Sequence, residues 1–387
     1  MRPDPRVALV LATVAALAAP AVPVGRAARA PEPARAAPPS GLPTLRPAAG
    51  ATGGGWSAAQ VRHFAALFDL VVVGASARAE RVRLFHEAHP GIVVLAYTSG
   101  FDVHEGSPLY AWVRARHPDW LLCDDAGRPL HTYRDARRWA LDCGRDEMRA
   151  FFADSARRRM RELGADGVLE DNVLPSWDFG TLARGAPRLQ RYATVARWRA
   201  ALEGYLAALE AAVAPGVLAA NQVEPWTRHA RIVAVEDLPA GGPGWEAMLR
   251  GFEALARDST RVPYLQHRLR GPDDPARAFV AASYLMGVRP GAYLGFHWPG
   301  PRESMRSLPE HRLVLGRPLG AARREAGVWW RDFERARVLV NPMDAARAAP
   351  WPPWSGHGRG PDLPAHGAGI AWRPAVAHEP LPFWTAP

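Results

Sequence analysis

Two apolar runs in the chain stop at carboxylates. The first is "ADGVLEDN", Ala165 to Asn172, where Val168 and Leu169 give way at once to Glu170, Asp171 and Asn172. The second is "RIVAVEDL", Arg231 to Leu238, which ends at Glu236 and Asp237. Asp and Asn after an apolar run are ordinary turn formers, so one such ending is no site. Two of them, with Trp177, Trp226 and Trp298 in nearby loops, match a definite chemistry. Cleavage of a glycosidic bond needs one carboxylic acid to protonate the leaving oxygen and one carboxylate to act as nucleophile or to activate water. Apolar ring faces pack against the C-H face of a sugar, while amides and histidines bind its hydroxyls.

Alternation along a strand sends Glu170 and Asp171 to opposite sides. Asp171 is therefore expected as nucleophile or base, and Glu170 as a supporting or surface acid. Glu236 is expected as the acid, which calls for a raised pKa in a partly apolar surround; Asp237 is the alternative in that role. Substrate contacts are expected from Tyr97, Asp142, Asn172, Asn221, Asp237, His267, His297 and Trp298. Each stands at or beside the end of an apolar run.

The elements that must position these groups follow from periodicity. Eight runs read as buried strands: Phe68 to Ser76, Ile92 to Gly100, "RWALDCG" at Arg138 to Gly144, the opening run, Gly216 to Gln222, Arg231 to Leu238, Val262 to Arg268 and Gly291 to Pro299. Most alternate with amphipathic helices, the longest being "RDEMRAFFADSARRRMRELG" with its terminal Gly164. Continuously apolar strands alternating with helices indicate a parallel sheet covered by helices. Eight such units predict an α/β fold, a (β/α)8 TIM barrel, whose site lies at the C-terminal ends of the strands. "VVVGASARAE" has only Gly74 and no dinucleotide fingerprint. Between the fifth and sixth strands there is no room for a full helix, so a degenerate connection is expected there, with an inserted hairpin before the third strand.

The runs "HPDWLLCDDAGRPL", "WALDCG", "GADGVLEDN", "VAVED" and "WWRDFERARVLVNP" resemble the secreted barrels grouped as hypothetical glycosyl hydrolase family 15. They are also similar to polygalactosaminidase-like barrels. The resemblance spans Phe68 to Pro342. It implies a TIM barrel and glycosidase-type chemistry, with Asp171 and Glu236 on the acidic positions of the motif. One position departs: Glu170 stands where such proteins usually carry an apolar residue.

Domain boundaries follow from composition. Arg2 and Arg6 precede the apolar Val7 to Val22, which predicts a signal peptide over 1–30 and a secreted or periplasmic protein, an uncleaved membrane anchor being the alternative. The Pro-, Ala- and Gly-rich segment 31–55 reads as a linker, and 56–320 as the barrel. Residues 321–387 read as a small C-terminal β appendage with a Pro- and Trp-rich tail. In an oxidising compartment Cys123 and Cys143 could pair or remain separate thiols. The net charge of +10 comes from scattered arginines without a basic arm, so no nucleic-acid partner is expected. Neither a metal nor a cofactor is expected, because no histidine has ligand spacing. The leading partner is a carbohydrate. Two other readings stay open: a non-catalytic carbohydrate-binding barrel, and a metal-dependent phosphodiester hydrolase using Asp142, Asp171 and Glu236.

Overall fold

The computed structural model describes residues 44–51, 56–132, 137–173, 188–221, 228–298, 306–355, 360–374, 376 and 381–386. In chain order it runs β1 (Arg46–Ala51), α1 (Ala58–Leu67), β2 (Leu70–Val73), α2 (Ala79–Ala88) and β3 (Val93–Thr98). An excursion follows, with β4 (Asp102–His104), α3 (Pro108–Arg116) and β5 (Arg138–Ala140). The chain then continues through α4 (Asp146–Leu163), β6 (Gly167–Glu170), α5 (Val195–Val213), β7 (Val217–Asn221) and β8 (Ile232–Glu236). It closes with α6 (Gly242–Arg257), β9 (Val262–Arg268), α7 (Ala276–Gly287) and β10 (Tyr293–His297). Strands β1, β2, β3, β6, β7, β8, β9 and β10 form a closed parallel barrel, sealed where β1 pairs with both β2 and β10.

Both faces of the barrel strands are apolar because both are covered. One set of alternate residues, including Leu70, Leu95, Leu169, Ile232 and Tyr264, fills the barrel interior. The other set, including Val71, Val94, Val168, Val233 and Leu265, joins the helices in the larger core. Between β7 and β8 residues 228–231 hold no helix, and the rest of that connection lies outside the described residues.

Two expectations are corrected here. Residues 44–51 are not linker, because β1 lies within the segment 31–55 and is the first barrel strand. One of its small residues lies close under a neighbour's side chain: a Cβ on Gly50 would come within 2.8 Å of Gln266 Oε1, and the Gln266 amide would have to shift. Composition that reads as a linker is here the space left beside Tyr264, Tyr293 and Gln266. Conversely, "RWALDCG" is not the third barrel strand. Only its first three residues are strand, and they pair antiparallel with β4, while β3 pairs directly with β6. The opening run keeps its fourth place. Residues 1–43, which include the expected signal peptide, lie outside the described residues. No helix among the described residues is long and apolar enough to cross a membrane.

After the barrel come β11 (Arg323–Glu325), β12 (Val328–Asp332), β13 (Ala336–Asn341), β14 (Gly367–Trp372) and β15 (Trp384–Thr385). They form one five-stranded sheet in that order, the C-terminal β appendage read from the sequence. Val338, Val340 and Ile370 on one face share the core of the barrel helices. Helix α7 is sandwiched between sheet and barrel, buried from Arg277 to Gly287. Arg331 on β12 reaches the end of that helix and donates from Nη1 to the carbonyls of Leu285, Met286 and Val288 at 2.9, 3.1 and 2.7 Å. A cation on free C-terminal carbonyls offsets the helix dipole there. Cys123 and Cys143 are separate thiols, the second fully buried.

Candidate active site

Alternation carries the interior set up to the C-terminal rim. Two residues beyond Leu95, Leu169, Ala219 and Ala234 stand Tyr97, Asp171, Asn221 and Glu236, at the ends of four neighbouring strands. The Tyr97 hydroxyl donates to Asp171 Oδ2 at 2.7 Å, and Asn221 Nδ2 donates to Asp171 Oδ1 at 2.7 Å. Both oxygens of Asp171 are thus oriented by neutral donors, one from the strand on each side.

Glu236 faces the same space. Burial raises its carboxyl pKa, and the charges of Asp171 and then Asp237 push it further in the same direction. The Arg268 charge and a hydrogen bond from Asn221 oppose that rise. Asn221, nearly fully buried, is thus linked to both acids, and its Oδ1 has no hydrogen-bond partner among the described residues. His297 also faces inward; its Nε2 accepts from Arg268 Nε at 3.2 Å, leaving its proton on Nδ1. Burial, then the nearby Arg268 cation, lower its pKa and keep the ring neutral.

The excursion between β3 and α4 also reaches the rim. Arg138 Nη2 lies 3.2 Å from Asp102 Oδ1, and Thr132 donates to Asp102 Oδ2 at 3.1 Å. Burial raises the Asp102 pKa, and the Asp171 charge adds to that shift. Sequence reasoning passed over Asp102, Arg138 and Arg268, and placed Gln266 at a strand end without giving it a role. Gln266 and Arg268 follow Tyr264 at strand period on β9, a spacing able to reveal them; nothing in the sequence places the Asp102–Arg138 hairpin over the barrel.

Other expected contacts stand elsewhere. Asp142 is buried outside the barrel, where Arg191 donates to it at 2.7 Å, Gly144 N at 3.0 Å, and the Tyr192 hydroxyl also donates. It belongs to the excursion and does not join Asp171 and Glu236, which removes the three-carboxylate arrangement of the phosphodiesterase reading. Trp298 packs in the helix-side core at 4% exposure and offers no ring face to a cleft. His267 points outward, its Nδ1 accepting from Leu238 N at 3.1 Å. Asn172 is buried in the left-handed region at φ 60°, its Nδ2 3.4 Å from Ser99 Oγ. Asp237 is left-handed at φ 54°, and its Oδ1 accepts from Arg268 N at 2.8 Å. Both conformations are tolerated by Asx side chains at strand ends. Trp177 and Trp226 lie outside the described residues. No group of three potential metal ligands occurs among the described residues.

A closed (β/α)8 barrel with two carboxylates converging at its C-terminal rim is an arrangement suited to glycoside hydrolysis. The family model described as hypothetical glycosyl hydrolase family 15 matches residues 86–337, more than half of the chain. The chain belongs to that family. No protein of curated function matches it. Among solved structures, the glycoside hydrolase domain of PelA from Pseudomonas aeruginosa is 19% identical, over 65% of this chain and 94% of that one, with a TM-score of 0.48. An α-galactosidase from Thermus thermophilus is 18% identical over 72% of this chain and 57% of its own, with a TM-score of 0.40. The maltogenic α-amylase AmyB from Thermotoga neapolitana is 12% identical over 79% and 87%, with a TM-score of 0.45.

Proposed function

We propose that this glycoside hydrolase cleaves a poly- or oligosaccharide, with Asp171 as nucleophile or base and Glu236 as acid. The observation that carries the reading is the unequal treatment of two acids at one rim. Asp171 is oriented through both oxygens by Tyr97 and Asn221, whereas burial and neighbouring negative charge hold Glu236 toward its protonated form. Environments that separate two carboxyls in this way assign base and acid. Asn221, His297 and the guanidinium of Arg268 are left to hold sugar hydroxyls around them. The N-terminal pattern of Arg2, Arg6 and the apolar 7–22 supports export to a periplasm or the exterior.

The test is a screen of the chain without residues 1–30 against α- and β-linked polysaccharides for new reducing ends, alongside Asp171→Asn and Glu236→Gln. Each substitution is expected to lower kcat by about 10²–10⁴, the usual contribution of a positioned acid or base. Full activity in both variants refutes the assignment. Binding of a glycan without cleavage favours the carbohydrate-binding alternative. N-terminal sequencing of the protein recovered outside the cytoplasm tests export.

A further inference from the structure

Glu170, the neighbour of Asp171 in the opening run, takes no part in the reaction above. Its carboxyl is fully buried on the helix side of β6. Gly100 N donates to Oε1 at 2.5 Å and the Tyr205 hydroxyl of α5 donates to the same oxygen at 3.0 Å. Thr98 Oγ1, at the end of β3, lies 2.7 Å from Oε2 and also 3.1 Å from the Leu169 carbonyl. A hydroxyl has one proton and cannot donate to both. A protonated Oε2 resolves the conflict: Glu170 donates to Thr98, and Thr98 donates to Leu169. An ionised Glu170 would turn the Thr98 proton onto itself and release the carbonyl. The packing leaves no slack, since a Cβ on Gly100 would fall 2.0 Å from the Tyr205 hydroxyl oxygen.

We propose that Glu170 is a positioning residue that works as a neutral carboxylic acid. It ties the end of β3, which carries Tyr97, to the strand that carries Asp171, and its ionisation loosens that tie and the Tyr97–Asp171 contact with it. The titratable groups nearest it are Tyr205 from α5, whose hydroxyl donates to it, and Asp171, next in sequence but turned into the barrel; Cys143 in turn influences Tyr205. None supplies a positive charge, and burial is the largest influence, lifting the carboxyl to about 7 although Gly100 N and the Tyr205 hydroxyl, as donors, favour the anion. The turn that follows Thr98 leads into β4, so the same tie steadies Asp102 near the rim.

The catalytic part of this inference rests on Asp171 being a reacting group; the protonation state does not. Carboxyl carbons of the whole chain, labelled with [5-13C]glutamate, are titrated by NMR in wild type and Glu170→Gln. One resonance, missing from the variant, is expected to titrate near neutrality. A Glu170 signal titrating in the ordinary carboxylate range overturns the proposal. Amide exchange of residues 97–102 is then compared at matched pH. At about pH 8, where wild-type Glu170 ionises, Glu170→Gln is expected to exchange about tenfold more slowly, with no difference at about pH 5.5. Equal exchange at both pH values overturns it. On any glycan found to be cleaved, kcat of wild type relative to Glu170→Gln should fall about tenfold between those pH values with KM little changed; a constant ratio refutes the positioning role. If no glycan is cleaved, the glycosidase reading fails while the two spectroscopic outcomes still decide this one.

Discussion

At the scale of residues, two acids and one cation divide the work between holding and titrating. Glu236 acts in the proposed reaction only while protonated, so the upper limb of the kcat/KM profile follows its pKa. Arg268 is the cation that opposes the rise in that pKa. Removing it with Arg268→Gln is therefore expected to move the upper limb to higher pH, as read from a pH series of initial rates. A shift to lower pH contradicts the assignment of Glu236. Glu170 makes a second prediction, on stability. Its folded-state carboxyl, at about 7, lies above the ordinary glutamate value of 4.5, so the folded chain binds that proton more tightly than the unfolded chain. The stabilisation is fully present below the unfolded value and is lost as pH rises through the folded one. Wild type should lose roughly 3 kcal/mol relative to Glu170→Gln between about pH 4.5 and 8 in urea denaturation. Parallel curves for the two proteins contradict it. The outward direction of Glu170 and the inward direction of Asp171 were legible, because alternation is local. That Glu170 would be fully buried was not, since Tyr205 and Gly100 come from distant parts of the chain.

At the scale of elements, α7 depends on a partner outside the barrel. Its C-terminal carbonyls are met by Arg331 from β12 rather than by a capping residue of its own. Arg331→Ala should cost about 2 kcal/mol, the order expected for a part-buried cation on several carbonyls, and should lower Tm in a calorimetric scan. A Tm equal to that of wild type refutes the capping role. Strand patterns were read correctly wherever both faces were aliphatic, as in β2, β3 and β6 to β10. They failed at β1, where "RPAAGA" has no β-branched residue, and at "RWALDCG", whose apolar run belongs to an excursion. Propensity reports what fits a half-buried pleat and does not say which strand lies alongside.

At the scale of the whole molecule, the appendage and the barrel share one core. Val338, Val340 and Ile370 belong to the same apolar cluster as the barrel helices, each worth roughly 1.5–3 kcal/mol when buried. The tail returns as well, with Trp384 Nε1 donating to the buried Glu310 Oε1 at 3.3 Å, where Arg277 of α7 is also bound at 3.2 Å. A chain ending at residue 320 should therefore expose α7 and aggregate or lose its cooperative transition, as followed by circular dichroism and light scattering. A soluble, cooperatively folding 1–320 would show the barrel to be independent. The sequence by itself determined the α/β class, seven of the eight barrel strands, the C-terminal sheet and the strand-end positions of Asp171 and Glu236, because apolar period and strand-end polarity are local properties. Only the tertiary structure decided which run closes the barrel, that Asp142, His267 and Trp298 turn away from the rim, and that Arg268 and Asp102 come to it. Those outcomes depend on pairing between strands far apart in the chain and on the room left by large side chains such as Tyr264, which no single segment encodes.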